Sequence, residues 1–151
     1  MGDEYDYIRH GGQWATFCRN LRKIKDSDHK ITFNMLYFVL NPFSVFKFVD
    51  KFMNDWNFHP NAFVIGPLLF PDYLNIRHLP DKMLQLVKQE LEQRIAEHPG
   101  FLLENSYQNL LRYIEQPIEK NLAGTFEQLA VMDARRGVDS SKIFIDLYKE
   151  K

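Results

Sequence analysis

Few side chains in this sequence have the types and spacing that a metal site or a nucleophilic centre requires. The chain has one cysteine, Cys18, and five histidines, and no histidine lies four residues from another histidine or beside the cysteine. Thr16 and Ser44 have no histidine and aspartate at the spacing of a hydrolytic triad, and Gly11 and Gly12 stand outside any glycine-rich phosphate loop. The sequence therefore predicts no metal ligands and identifies no catalytic residue.

Two asparagines are better candidates, and for binding rather than catalysis. Asn34 lies in an otherwise apolar predicted strand, and an amide buried there without a hydrogen bond costs about 1–3 kcal/mol. A bound cofactor would supply the missing partner; neighbouring backbone or water is the alternative. Asn41 lies at the carboxyl end of the same strand, where α/β sheets place their ligands. Its alternative role is to cap the helix that follows.

Composition and charge are those of a globular chain of one-domain size. The 151 residues are 45% hydrophobic and 26% charged, and the net charge is −1. A charge so near zero predicts neither a nucleic-acid partner nor attraction to an anionic membrane. The longest apolar stretch, residues 31–49, contains two asparagines, a proline, a serine and a lysine, which argues against a membrane span. A single cysteine favours a reducing compartment. The acidic residues at the start of the chain argue against a secretion signal, so we expect a cytoplasmic protein.

Hydrophobic periodicity predicts two strands in the first half of the chain. The opening twelve residues have no useful periodicity and are predicted to form a loop, whereas residues 13–25 carry one apolar helical stripe. Residues 31–40 and 62–69, rich in β-branched and aromatic types, are predicted strands. Between them a helix is predicted to begin at Pro42 with Asn41 as its N-cap.

Beyond Pro80 the sequence predicts helices alone. Residues 80–98 and 102–115 are amphipathic, and Gly100 separates them. Thr125 to Gln128 has the spacing of a capping box and predicts the start of a third helix, which ends near Gly137. A last short helix is predicted within residues 140–148.

This order of elements predicts an α/β fold in which two parallel strands are joined by a right-handed crossover. Both strands are apolar on both faces, which is typical of a sheet that is covered on both sides. Two strands alone would leave both edges of the sheet without partners. We therefore expect the unit to belong to a larger sheet, whose other strands come from a missing N-terminal part or from another chain.

Four segments resemble parts of radical SAM enzymes, in particular the subgroup that contains a twitch domain. Residues 2–14, with Tyr-Ile-Arg and a tryptophan-led helix, resemble the stretch after the fourth barrel strand, and residues 31–42 resemble the fifth strand and its turn. Residues 62–80, which end in Pro-Asp-Tyr-Leu-Asn-Ile-Arg-His-Leu-Pro, resemble the final strand and its exit. Residues 126–147, with Asp-Ala-Arg-Arg-Gly at 133–137, resemble the C-terminus of that subgroup.

The resemblance implies the C-terminal portion of a partial (β/α) TIM-like barrel in residues 1–79 and a helical C-terminal extension in residues 80–151. An intact parent would reductively cleave S-adenosylmethionine at a [4Fe–4S] cluster to modify a peptide or a small molecule. The Cys-x-x-x-Cys-x-x-Cys loop that binds this cluster is absent, and one cysteine cannot replace it. We therefore expect a fragment that retains no cofactor alone and is inactive alone. The alternative is a non-catalytic interaction module that keeps the barrel remnant.

The resemblance also implies a role for Arg9. In similar enzymes an arginine after the fourth strand contacts the carboxylate of S-adenosylmethionine, a task that suits a planar, permanently charged guanidinium. The plain alternative is a solvated loop arginine or an ion pair. Polar residues on the fifth strand line the adenosine side in those enzymes, which supports Asn34, and Asn41 is the third candidate. The expected partners are the missing N-terminal half or a second copy of this chain.

Overall fold

The computed structural model describes residues 2–27 and 29–149. These residues form seven α-helices and one two-stranded parallel sheet, which confirms the predicted α/β fold. The helices are α1 (Gly2–Ile8), α2 (Trp14–Lys25), α3 (Ser44–Asn54), α4 (Asp81–Glu97), α5 (Leu102–Ile114), α6 (Leu122–Arg136) and α7 (Ile145–Tyr148). The strands are β1 (Phe33–Tyr37) and β2 (Phe63–Pro67), and 3₁₀ turns cover Pro60–Ala62, Asp72–Leu74, Ile76–His78 and Ser140–Lys142.

The two faces of the sheet are buried unequally. Phe33, Tyr37 and Ile65 are buried on the side that α3 and α5 cover. On the opposite side Asn34 and Leu36 are exposed, and Leu36 retains 56% of its accessible surface. The expectation that both faces are covered is therefore wrong for the described residues, because Leu36 and Val64 remain exposed on the second face. Leu36 and Val64 on that face are apolar all the same, which explains why the strand composition suggested burial on both sides.

The edge of the sheet beside β2 is closed by a side chain. The Ser106 hydroxyl of α5 accepts the backbone N–H of Ile65 at 3.1 Å and donates to the Leu102 carbonyl at 3.2 Å. A helix that covers a strand edge in this way prevents further pairing there. The expectation of two unpaired edges is thus wrong for β2.

The edge beside β1 is open. Leu68 donates its backbone N–H to the Tyr37 carbonyl, so Tyr37 faces β2, and the backbone groups of Asn34 and Leu36 point to the opposite edge. The Asn41 amide donates to the Leu36 carbonyl at 2.7 Å. The Leu36 N–H and both backbone groups of Asn34 form no hydrogen bond with a described residue. A further strand could therefore pair with β1.

Aromatic side chains form the centre of the core between α2, α3 and β1. Phe52 is fully buried, and the Phe48 and Phe33 ring centroids lie 4.3 Å and 5.5 Å from its own. Phe33 in turn stacks on Phe63 across the two strands at 5.1 Å. In the structure as a whole, 11 of the 22 aromatic side chains are buried, and this burial supplies much of the driving force for folding.

The helices after residue 80 share this core with the sheet. Residues from both sides of the predicted 79/80 boundary belong to one hydrophobic cluster, and Arg94 of α4 forms a bidentate ion pair with Asp50 of α3. The division into two units itself stays a prediction. No α-helix within the described ranges is both long enough and apolar enough to cross a membrane.

Three local predictions are wrong for identifiable reasons. Residues 2–8 are helix α1 rather than a loop, because Asp3 and Glu4 in its first turn complement the helix dipole and Tyr7 is buried against the C-terminal segment. Helix α3 begins at Ser44, two residues later than predicted. Helix α6 begins at Leu122, and Asn121 caps it by accepting the Gly124 N–H.

The capping-box residue Thr125 has a different partner from the one its spacing predicts. Its hydroxyl donates to the Tyr73 carbonyl at 2.7 Å and so attaches α6 to the loop after β2. The predicted end of this helix is confirmed, since Gly137 adopts a left-handed backbone conformation with φ of 65° directly after Arg136.

Candidate functional site

A cavity of about 740 Å³ lies between the N-terminal helix and the open edge of β1. Residues 32–36 contribute five consecutive residues of its wall, and residues 4, 5 and 7–9 form the opposite side. Its lining includes all three residues predicted to bind a cofactor, namely Arg9, Asn34 and Asn41. These residues are up to 32 positions apart in the chain (41 minus 9), so the fold is what brings them together.

Arg9 is the one cationic residue among those that line the cavity. It directly follows α1 and is exposed, and its guanidinium forms no hydrogen bond or ion pair with a described residue. An ion pair, one of the two alternatives for this arginine, is therefore absent from the described part of the chain, whereas its exposure agrees with the other alternative, a solvated loop arginine. The five N–H donors of this exposed guanidinium can therefore all bind a ligand that carries a carboxylate or a phosphate.

Two glycines shape the backbone around Arg9. Gly11 has a φ of +84°, which favours glycine strongly, and the Gly12 N–H donates to the Arg9 carbonyl at 2.6 Å. A Cβ atom on Gly12 would lie 2.9 Å from that carbonyl oxygen and 3.0 Å from the Arg9 Cβ. The two glycines therefore allow a tight backbone turn directly after Arg9.

We predict that Gly12→Ala destabilises the protein by about 1–3 kcal/mol, since the added methyl group meets the carbonyl oxygen and the Cβ atom of Arg9, which cannot move aside. Urea denaturation measures this difference. Gly66→Ala is the control, because a Cβ there meets no atom within 4 Å and its effect should stay within about 0.5 kcal/mol. Equal stabilities for the two variants would contradict the close approach behind Arg9.

Asn34 presents its side chain on the exposed face of β1. No described residue forms a hydrogen bond with its amide, so the proposed alternative of a backbone partner is not observed among the described residues. Because the residue is exposed, water satisfies the amide and no burial cost arises. Its two donors and its carbonyl oxygen remain accessible from the cavity.

Asn41 is committed to the turn after β1. Its Oδ1 accepts the Phe38 N–H at 2.8 Å, and its Nδ2 donates to the Leu36 carbonyl at 2.7 Å. The prediction that it is the N-cap of α3 is wrong, since α3 begins with Phe43 in the capping position and the Asn41 side chain points backwards. One N–H and one lone pair of the amide remain for a ligand.

The other lining residues are mainly aromatic and aliphatic. Tyr5, Trp14 and Phe17 form a ring cluster on one side, with centroids 5.3–5.6 Å apart. Glu4 adds a carboxylate to the wall, and Met132 of α6 contributes from the C-terminal half. Sequence reasoning missed Glu4, Tyr5 and Met132, because residues 2–8 showed no helical stripe and α6 contacts the cavity through a single turn.

A cluster or metal ion does not fit the side chains of the described residues. Among them no group of three or more histidine, cysteine, aspartate and glutamate residues could hold a metal ion. Cys18 is half-buried in α2 and packs against the hydrophobic core, and burial raises the pKa of its thiol. One thiol cannot hold a cluster, because cluster ligation needs several thiolates.

Comparison with known proteins adds no family to this description. No family model matches the chain, and neither a curated protein nor a solved structure matches it. The resemblance to radical SAM enzymes therefore stays a prediction from the sequence motifs alone.

Proposed function

We propose that this chain is the C-terminal portion of a radical SAM-type barrel, which contributes part of a binding site for S-adenosylmethionine and does not catalyse a reaction alone. One observation carries the proposal. The cavity brings together Arg9, Asn34 and Asn41, the three residues that the sequence identifies as candidates for binding a cofactor.

The residues present suit the two ends of such a ligand. The Arg9 guanidinium would hold its carboxylate through paired N–H donors. Asn34 and the remaining donor of Asn41 would bind hydroxyl or ring nitrogen atoms, and the aromatic wall with Trp14 and Phe17 would cover the adenine. When bound and reductively cleaved at a cluster, S-adenosylmethionine supplies radical chemistry.

The cluster does not fit this chain, and we assign no step to it. Cluster ligation needs several thiolates at defined spacing, and the sequence has Cys18 alone. We predict that anaerobic reconstitution with iron and sulfide yields no stoichiometric [4Fe–4S] absorbance. Parallel reconstitution of Cys18→Ala provides the control, since adventitious iron would then be equal in both samples. A stoichiometric signal from the unmodified chain would contradict the assignment of the cluster to another part of the barrel.

The open edge of β1 is a second observation that supports the proposal. Asn34 and Leu36 offer unpaired backbone groups there, while Ser106 closes the opposite edge. A larger barrel sheet would therefore extend from β1 and not from β2.

A second candidate function, an interaction module without chemistry, is favoured by the same edge and by the exposed apolar groups beside it. Leu36, Val64 and Phe70 retain 56%, 39% and 82% of their accessible surface. Such a module would associate with itself or with another chain through this surface. Light scattering after size-exclusion chromatography tests this, since a monomer that binds no hydrophobic dye would exclude it.

The cavity is lined by residues of this chain, so we propose, against the expectation that the chain alone retains no cofactor, that it binds S-adenosylmethionine without a cluster. Calorimetric titration with S-adenosylmethionine tests the leading proposal. The expected result is one saturable site, bound at least about tenfold more tightly than methionine, because methionine lacks the adenosyl group that the aromatic wall covers. Absence of saturable binding, or equal affinity for methionine, would overturn the proposal.

A further inference from the structure

We infer that Asp133 is a positioning residue, which holds the Arg9 side of the cavity in place through Tyr7. The inference rests on the proposed function for its ligand, but the contacts that carry it join residues of the chain itself and involve no ligand. Asp133 belongs to the C-terminal part of α6, and 126 residues separate it from Tyr7.

The first contact joins a buried phenol to a carboxylate. The Tyr7 hydroxyl donates to Asp133 Oδ1 at 2.8 Å, and Tyr7 itself is 5% exposed. Burial, and then the hydrogen bond to Asp133, raise the pKa of the phenol, so it remains the donor at neutral pH. Tyr7 lies two residues before Arg9 and belongs to the last turn of the helix that forms one side of the cavity.

The second oxygen of the same carboxylate is also engaged. Asp133 Oδ2 accepts the backbone N–H of Ser140 at 2.9 Å and its hydroxyl at 2.7 Å. The Ser140 oxygen lies 2.6 Å from the Tyr148 hydroxyl, and Ser140 is fully buried. Both oxygens of Asp133 are therefore fixed by partners in different parts of the chain, and a fixed carboxylate orients the phenol that binds it.

A second anchor lies one turn further along α6. Arg136 donates to the Tyr7 carbonyl at 2.9 Å, and its guanidinium lies 5.3 Å from the centre of the Tyr7 ring. Phe144 packs edge-on against the same ring at 5.1 Å. Residues 133–144 thus hold the hydroxyl, the ring and the carbonyl of Tyr7. The C-terminal segment thereby fixes the position of the end of α1 and of Arg9, which follows it.

Tyr7→Phe is the test variant, since it removes the bond to Asp133 and keeps the ring contacts. We expect the dissociation constant for S-adenosylmethionine to rise about three- to tenfold, and amide hydrogen exchange of residues 2–9 to become faster. Asp139→Asn is the control, because Asp139 is exposed in the same segment and bonds only to Ser141 and Lys142 among the described residues. It should change neither quantity.

A double-mutant cycle separates positioning from a general loss of stability. If Tyr7 acts through Arg9, Tyr7→Phe should weaken binding in the unmodified chain and have no further effect in the Arg9→Ala background. An equal loss in both backgrounds would overturn the inference. Should Tyr7→Phe fail to fold, Ser140→Ala removes the bond on the other side of Asp133 and is expected to show the same dependence on Arg9.

The inference and the proposed function fail in different ways. If the unmodified chain does not bind S-adenosylmethionine, the proposed function is wrong and hydrogen exchange alone decides the role of Asp133. Faster exchange of residues 2–9 in Tyr7→Phe would then support the contact between the C-terminal segment and α1. Unchanged exchange in that variant would overturn it.

Discussion

Replacing Phe52 with alanine is expected to lower the free energy of unfolding by about 3–5 kcal/mol, because the change removes a fully buried ring and leaves a cavity. Six aromatic rings lie within 6.2 Å of the Phe52 ring, between centroids; they belong to Trp14, Phe17, Phe33, Phe48, Trp56 and Phe58. Small domains are stable by about 5–15 kcal/mol, so this single change removes a large part of the total. Urea denaturation followed by tryptophan fluorescence measures it.

Phe70→Ala is the matched control for Phe52→Ala. The residue type is the same, but Phe70 retains 82% of its accessible surface. Its removal should change the stability by less than about 0.5 kcal/mol. Similar losses for the two variants would contradict the placement of the core between α2, α3 and β1.

The sequence predicts this core well because burial follows from apolar periodicity. The helical stripe in residues 13–25 and the apolar face of α3 are both observed in the aromatic core beside β1. The parallel pairing of the two strands also follows from their order and composition. Such features depend on many residues together, so no single side chain can reverse them.

Local features that depend on one distant contact are harder to predict. Helix α1 has no apolar stripe, and its buried Tyr7 binds Asp133, 126 positions away. Asn41 has the sequence context of an N-cap, yet its amide binds the backbone of residues 36 and 38 instead. The closure of one sheet edge by Ser106 has no signal in the sequence at all, because a serine within a helix gives no hint of its partner.

The candidate site can be predicted in part. Arg9, Asn34 and Asn41 are identified from the sequence, and the structure shows that they line one cavity. The identity of their ligand rests on the resemblance of the surrounding motifs, because an arginine and two asparagines suit many polar ligands. Glu4 and Met132 are missed, because they reach the cavity from elements whose position only the tertiary fold decides.

Arg9→Ala is expected to weaken the binding of S-adenosylmethionine about tenfold to a hundredfold. A hydrogen-bonded pair that involves a charged group contributes about 1.5–3 kcal/mol, and each 1.4 kcal/mol corresponds to a factor of about ten in affinity. Thermal stability should change little, since Arg9 is exposed and forms no ion pair with a described residue. Calorimetric titration and a melting curve on the same sample measure both effects.

Two further variants define the role of the guanidinium. Arg9→Lys keeps the charge but loses the planar pair of donors, and it should bind with intermediate affinity. Arg19→Ala removes an exposed arginine of α2 that does not line the cavity, and it should leave the affinity unchanged. A loss of affinity in Arg19→Ala equal to that in Arg9→Ala would indicate a general effect of net charge.

The recognition of a ligand carboxylate by Arg9 is the central claim, and one ratio tests it most directly. The ratio compares the affinity for S-adenosylmethionine with that for 5′-methylthioadenosine, which keeps the adenosine and the methylated sulfur but lacks the amino-acid group and the positive charge of the sulfonium. We predict a ratio of about ten or more in the unmodified chain, from the charge-assisted pair, and a ratio near one in Arg9→Ala. An equal ratio in the two proteins would contradict the account, because Arg9 would then not contact the part of the ligand that the two compounds do not share.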